Sequence, residues 1–217
     1  LLGWIYYESG NEDRARKIFA DNFINATKIG DDQGEGDALL RLGIILWSSG
    51  DFKNALNYQN ASLELFEKIG DKSGMGVALN SIGITYHNKG DLDKTLFYHT
   101  KNLELQKEIG NKLKQTSSIH NIGNIYRDKG EYDIALDYYS QCLDIYEEFD
   151  ANKHYFIHTF ANIGDIHCQK GDYEKAKEFL EKSYGILKEV GLIQGDLLCY
   201  VTAQLFLVYK YLGLSYD

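Results

Sequence analysis

The 217-residue sequence contains no proline. Without that ring, which removes an N–H and clashes with the preceding turn, helices can run uninterrupted. Cysteine is sparse: Cys142, Cys168 and Cys199 are odd in number, widely spaced and form no CxxC pair. This excludes a disulfide framework and points to a reducing, cytoplasmic setting, with three buried thiols acting as small hydrophobes. No apolar run approaches the ~18 residues of a membrane span, so no membrane partner is expected. No signal peptide is read, because Leu1–Trp4 lead directly into a patterned helix. The sequence opens on Leu rather than Met, which suggests a piece of a longer chain.

Clustered basic charge is missing too. There are 23 Lys and Arg against 32 Asp and Glu, a net charge of −9. A phosphate backbone needs the opposite, so nucleic acid is excluded as the expected partner. The acidity serves solubility or favours a basic partner segment. Signatures of chemistry are equally scarce. Neither GxGxxG nor a GxxxxGK phosphate loop is present, and His, Ser and Cys form no nucleophile signature. His154 and His158 share a helix face, yet no HExxH or third ligand accompanies them. The run Asp31-Asp32-Gln33-Gly34-Glu35-Gly36 imitates a calcium loop, but its twelfth position is Leu42 where Glu is required. It aligns with Asp71 to Gly76 and reads as an interhelical linker. No cofactor, metal or enzymatic activity is expected.

What the sequence does have is 21 Gly, 17 Tyr and a beat. A Gly is followed three residues later by a large side chain and seven later by another Gly. The copies are Gly3-Tyr6-Gly10, Gly43-Leu46-Gly50, Gly83-Tyr86-Gly90, Gly123-Tyr126-Gly130 and Gly164-His167-Gly171, with a degenerate Phe206-Tyr209-Gly213. The first Gly steps by 40, 40, 40 and 41 residues. Leu79, Ile82, Gly83 and Tyr86 fall at i, i+3, i+4 and i+7, one helical face. Lys89-Gly90-Asp91 and Ile109-Gly110-Asn111 then read as a helix stop followed by an N-cap. Each beat is therefore a helix A and a helix B, with Leu92, Leu96, Leu103 and Ile109 expected on the inward side of the third helix B. Twelve residues after each mid-helix Gly comes a small residue: Ala15, Ala55, Thr95, Ala135, Ala176. Small facing small predicts close A–B packing, which offsets the roughly 0.5–1 kcal/mol cost of a helical Gly.

Small residue, Tyr, Gly and Ala at these offsets resemble the tetratricopeptide repeat. The longer beat, with Leu79-Asn80-Ser81-Ile82-Gly83 and His120-Asn121-Ile122-Gly123-Asn124-Ile125-Tyr126, resembles the 40-residue subclass of Pins-type adaptors and kinesin light chains. The resemblance implies an all-α, right-handed superhelical solenoid of antiparallel helix pairs. One solenoid, cut from a longer array, is expected over 1–217. Its repeats are 36–75, 76–115, 116–156 and 157–198, with a partial repeat at 1–35 and a partial or degenerate one at 199–217. The family's usual Pro at the end of helix B is absent, replaced by Gly-Asp or Gly-Asn. Phe206 stands where a small residue belongs, so the last beat is expected to pack differently.

The resemblance implies that A helices line a concave groove that accepts peptides. The expected groove surface has an apolar half, Trp4, Tyr7, Ile44, Trp47, Val77 and Ile84. Its polar half is His87, His120, Asn121, Asn124, Arg127, His158, Asn162 and Asp165. The apolar residues read equally as packing between neighbouring repeats. Aromatic and Arg side chains suit binding hot spots, and Asn amides match both groups of a peptide bond. The family's carboxylate clamp needs lysines that are missing beside Arg41, Asn124 and Arg127. The expected function is a scaffold binding a peptide segment of a partner protein, the chain itself a monomer. Two alternatives stay open: a sensory or regulatory module of a signalling protein, and self-assembly through repeat ends or the apolar patch.

Overall fold

The computed structural model describes residues 2–192 and 195–215. Among the described residues every regular element is a helix. They are α1 (Leu2–Glu8), α2 (Glu12–Ile29), α3 (Asp32–Ser48), α4 (Phe52–Ile69), α5 (Lys72–Asn88), α6 (Leu92–Ile109), α7 (Lys112–Asp128), α8 (Tyr132–Glu148), α9 (His154–Gln169), α10 (Tyr173–Glu189) and α11 (Asp196–Leu212). Odd-numbered helices are the A helices of the beat and even-numbered ones the B helices, so the all-α expectation holds. The chain forms two compact units, Leu1–Asn111 and Lys112–Asp217.

The turns are shorter than the sequence suggests. Asp31 caps α3, its carboxylate accepting from the Gly34 N–H at 2.9 Å, and Asp71 caps α5 through Ser73 at 3.0 Å. The run from Asp32 to Gly36, expected as a linker, is therefore the start of α3, and only Gly30 and Asp31 connect it to α2. Gly30, Gly70 and Gly110 end the B helices in the left-handed conformation, at φ 72°, 72° and 77°. Asp150 fills the same place in the fourth turn at φ 45°, a conformation Asp tolerates better than most residues.

A–B packing follows the mid-helix Gly. The five small residues twelve positions on are at most 1% exposed. The side chain that closes on each Gly, however, lies sixteen positions on. A Cβ at Gly3, Gly43, Gly83, Gly123 or Gly164 would stand 2.5–2.9 Å from Phe19, Gln59, His99, Tyr139 or Leu180 respectively. The beat's large residue stacks twelve positions on: Tyr86 on Tyr98 at 5.5 Å, Tyr126 on Tyr138 at 5.6 Å and His167 on Phe179 at 5.8 Å. Each such pair contributes roughly 0.5–1.5 kcal/mol beyond its buried area.

In unit 1, Leu40, Leu56, Leu63, Phe66, Leu79 and Ile82 make one apolar core, and Phe19, Leu42 and Ile45 another. Helix α6 departs from expectation. Leu92, Leu96 and Leu103 are only half-buried and Ile109 is exposed, whereas Thr95, His99, Asn102, Leu105 and Gln106 are buried. The inward stripe is set by the Thr95–His99 column facing Gly83, and the leucines lie beside it.

In unit 2, Ile157, Leu180, Leu187, Val201, Leu205 and Val208 form one core cluster, and Ala135, Tyr139, Ile163 and Ile166 another. Helix α11 packs through Val201, Leu205 and Val208. Phe206 is 61% exposed, because no described helix follows α11 to cover it as Leu180 covers Gly164. Cysteine burial is a correction: Cys142 is buried and Cys168 half-buried, but Cys199 is exposed because it lies off the α11 stripe. Burial pushes the Cys142 thiol up to about 12 and that of Cys168 up to about 11, so both stay protonated.

Two further registers repeat within the units. At a spacing of 26, Ser62 donates to the Gly36 carbonyl at 2.7 Å and Ser183 to that of Ile157 at 2.9 Å. At a spacing of 36, Lys68 pairs with Asp32, Lys72 with Glu108, Lys112 with Glu148 and Lys153 with Glu189. These ion pairs lie at the surface, where solvent and salt screen them, and they contribute little to stability.

Candidate functional site

Two A-helix surfaces carry the residues singled out in the sequence, one in each unit. In unit 2, α7 supplies His120, Asn121, Asn124 and Arg127, and α9 supplies His158, Asn162 and Asp165. Four of these join into a network. The Asn162 amide donates to Asn124 Oδ1 at 3.0 Å and approaches His120 Nε2 at 3.2 Å. Arg127 donates to Asn162 Oδ1 at 2.9 Å and, through Nε and a terminal nitrogen, to Asp128 at 3.1 and 2.9 Å. From below, the Tyr139 hydroxyl donates to Asn124 Oδ1 at 2.6 Å. Tyr139 lies on the B helix α8, and its place is fixed by the ring closing over Gly123.

The electrostatics follow from burial. His120 is held down to about 4, first by burial and then by His158 and Arg127, so it stays neutral near pH 7. Both ring nitrogens face amide NH2 groups, Nε2 that of Asn162 at 3.2 Å and Nδ1 that of Asn124 at 3.5 Å, and a neutral ring accepts at only one of them. Arg127 is buried against its charge, but Tyr139, Asp128 and Asp165 more than compensate and raise its pKa. Asn121 is half-buried beside this network. Asp165 interacts with Tyr200 of α11, whose hydroxyl is pushed upward by burial and by that carboxylate. His158 is exposed and stands apart from the hydrogen bonds. Among the described residues no three His, Cys, Asp or Glu side chains gather in a metal-binding group.

In unit 1 the expected apolar surface is mixed. Trp47 and Ile84 are half-buried, and the Trp47 ring nitrogen is buried without a hydrogen-bond partner among the described residues. Ile44 packs against the core, Trp4 and Tyr7 against the Phe19 cluster, and Val77 is 48% exposed. His87 is half-buried on α5. Between α1, α3 and α5 lies a cavity of about 230 Å³, walled in part by Trp4, Leu40, Arg41, Ile44 and Val77.

Reading the A helices alone finds most of the polar network. It misses Tyr139 and Tyr200, which come from other helices, and Asp37 beside Arg41. For Tyr139 a signal exists, sixteen residues after Gly123. For Asp37 none stands out, because a single Asp on an acidic chain is unremarked.

The geometry agrees with known proteins. BtubC (BKLC) from P. vanneervenii is 18% identical, with 93% of this chain and 84% of that one covered at a TM-score of 0.80. A signal transduction ATPase with numerous domains and a tetratricopeptide repeat sensor, from Pyrococcus horikoshii, is 20% identical. There the match covers 99% of this chain but 33% of that one, at 0.78. The quorum sensor NprR from B. thuringiensis is 16% identical over 98% of this chain and 59% of that one, at 0.72. No curated protein sequence matches. The tetratricopeptide repeat family model matches residues 34–108, 74–148 and 115–189, which together span most of the sequence. With its helix pairs, its glycine register and this match, the chain belongs to the tetratricopeptide repeat family.

Proposed function

We propose that the chain is a protein-interaction scaffold that holds a peptide segment of a partner against its A-helix faces. The observation that supports this is the Asn124–Asn162–Arg127 network of unit 2. The Asn124 amide nitrogen approaches His120 Nδ1 at 3.5 Å, and the network still leaves that amide's second N–H, one lone pair of Asn162 Oδ1 and further Arg127 donors for a ligand. Those are the groups a peptide backbone needs, a carbonyl against a donor and an N–H against an acceptor. Each side chain is already held by a neighbour, so binding orders little that is not ordered beforehand.

The same network favours a second reading, a regulatory module. A ligand that captured Arg127 or Asn162 would pull on the link between α7 and α9, and tetratricopeptide sensors occur among the proteins of similar fold. Both readings share the site and neither requires catalysis.

The test places a photo-crosslinking residue at Asn121, on the A-helix face, and another at Ser140, exposed on α8, each in the full-length protein. Crosslinks to a partner from position 121 and none from 140 are expected. Arg127→Gln should weaken that partner's affinity about tenfold, the loss of a charge-assisted hydrogen bond. Crosslinking from position 140 alone would overturn the proposal.

A further inference from the structure

Unit 1 holds a pair of charges that do not meet. Two neighbouring cavities, of about 330 and 230 Å³, share Asp37 and Arg41 in their walls. These residues stand one turn apart on α3, a spacing at which Asp and Arg ordinarily pair. Here Arg41 instead lies over the Trp4 and Phe19 rings, 5.4 and 5.7 Å from their centroids. Among the described residues neither side chain has a hydrogen bond or ion pair. Burial raises the Asp37 pKa; Arg41 opposes the rise, and Asp71 and Asp31 add to it. Asp71, by contrast, accepts from Gln33 at 2.9 Å. The cavity therefore offers an excess of negative potential, one unpaired guanidinium and apolar walls from Leu40, Ile44, Val77 and Trp4.

We propose that the smaller cavity receives the amino terminus of a peptide, with an apolar first residue. The α-ammonium pairs with Asp37, and the first carbonyl, the acceptor nearest to that ammonium, takes the Arg41 donors. The first side chain lies on Leu40, Ile44 and Val77. Other occupants leave something unanswered. A Lys side chain carries its ammonium among methylenes and gives Arg41 no acceptor. A carboxylate answers Arg41 but is repelled by Asp37 and Asp71. The net charge of −9 favours the cationic end over the carboxylate. This deepens the peptide-scaffold reading and rests on it for the ligand class. It concerns residues of unit 1 only, so the two can fail separately.

The test is an NMR titration of the full chain with Leu-Leu-amide, its N-acetyl form and free leucine. Saturable shifts of α1, α3 and α5 amides are expected with Leu-Leu-amide. Acetylation should weaken binding at least about tenfold, and so should Asp37→Asn, since each removes a charge-assisted contact. Asp37→Asn should not lower the melting temperature, because it breaks no hydrogen bond or ion pair and removes a charge that burial, Asp71 and Asp31 disfavour. Equal binding of the acetylated peptide, or no saturable shift up to about 10 mM, a level at which even weak binding registers, would sink the proposal. Free leucine binding as tightly as the dipeptide amide would replace the peptide terminus with an amino acid and overturn it equally. Loss of crosslinking at position 121 with this titration intact would strike the unit 2 proposal alone.

Discussion

At the scale of the residue, glycine does two opposite things in this chain. Gly123 is a site of close approach: a Cβ there would stand 2.9 Å from the Tyr139 ring. That ring is tethered by its hydroxyl to Asn124, so it cannot retreat without breaking the network. Gly123→Ala is expected to cost about 1–3 kcal/mol by overpacking. Gly185, inside α10, is exposed and has nothing within 4 Å of its would-be Cβ. Gly185→Ala is expected to stabilise by about 0.5–1 kcal/mol. Urea denaturation of the two variants checks both signs. The sequence makes Gly123 conspicuous, because its neighbours in the beat share its identity. It hides what rests on Gly123, because Phe19, Gln59, His99, Tyr139 and Leu180 have no chemistry in common.

At the scale of the element, helix ends were the most legible feature and helix faces the least. Asn11, Asp51 and Asp91 each cap the N–H three residues on, at 3.3, 3.2 and 3.2 Å. Glu131 holds that place before α8 and makes no side-chain cap bond. Glu131→Asp is expected to gain about 0.5–1 kcal/mol, read as a raised melting temperature. Helix α6 shows why a face is harder to read. Its leucines suggest one inward stripe, yet the side buried against α5 is the one that meets Gly83, and it carries Thr95, His99, Asn102 and Gln106. Apolar periodicity ranks residues by hydrophobicity, and here the closeness of two backbones decided instead. The same limit explains Asp37 and Arg41: their spacing suggests an ordinary helix pair, and only the aromatic rings of Trp4 and Phe19 divert Arg41.

At the scale of the whole molecule, each unit holds a histidine that resists protonation. His99 in unit 1 and His120 in unit 2 are both held down to about 4, chiefly by burial. A pKa lowered on folding means that the unfolded chain binds the extra protons between pH 6.5 and about 4. Stability is therefore full above the unfolded pKa and falls as the pH drops through that window. His99→Gln, which copies Gln59 from the preceding repeat, should flatten this acid limb by at most about 2 kcal/mol between about pH 7 and pH 5. Thermal melts at the two pH values measure it, and an unchanged slope would refute the assignment to His99. The whole-molecule outline, helix pairs at a 40-residue beat, was the part the sequence made plainest, because every copy votes for it. The column sixteen residues past each mid-helix Gly has one more consequence. Near-identical repeats invite a helix to settle beside the wrong sibling during folding. If the helix bearing Tyr139 lay over Gly83 in place of α6, its hydroxyl would face Ile84 rather than Asn124 and go without a partner. That mismatch costs about 1–3 kcal/mol, enough to send the chain back to try again. This buried position, which differs in every repeat, thus works as a key that helps each helix find its own lock.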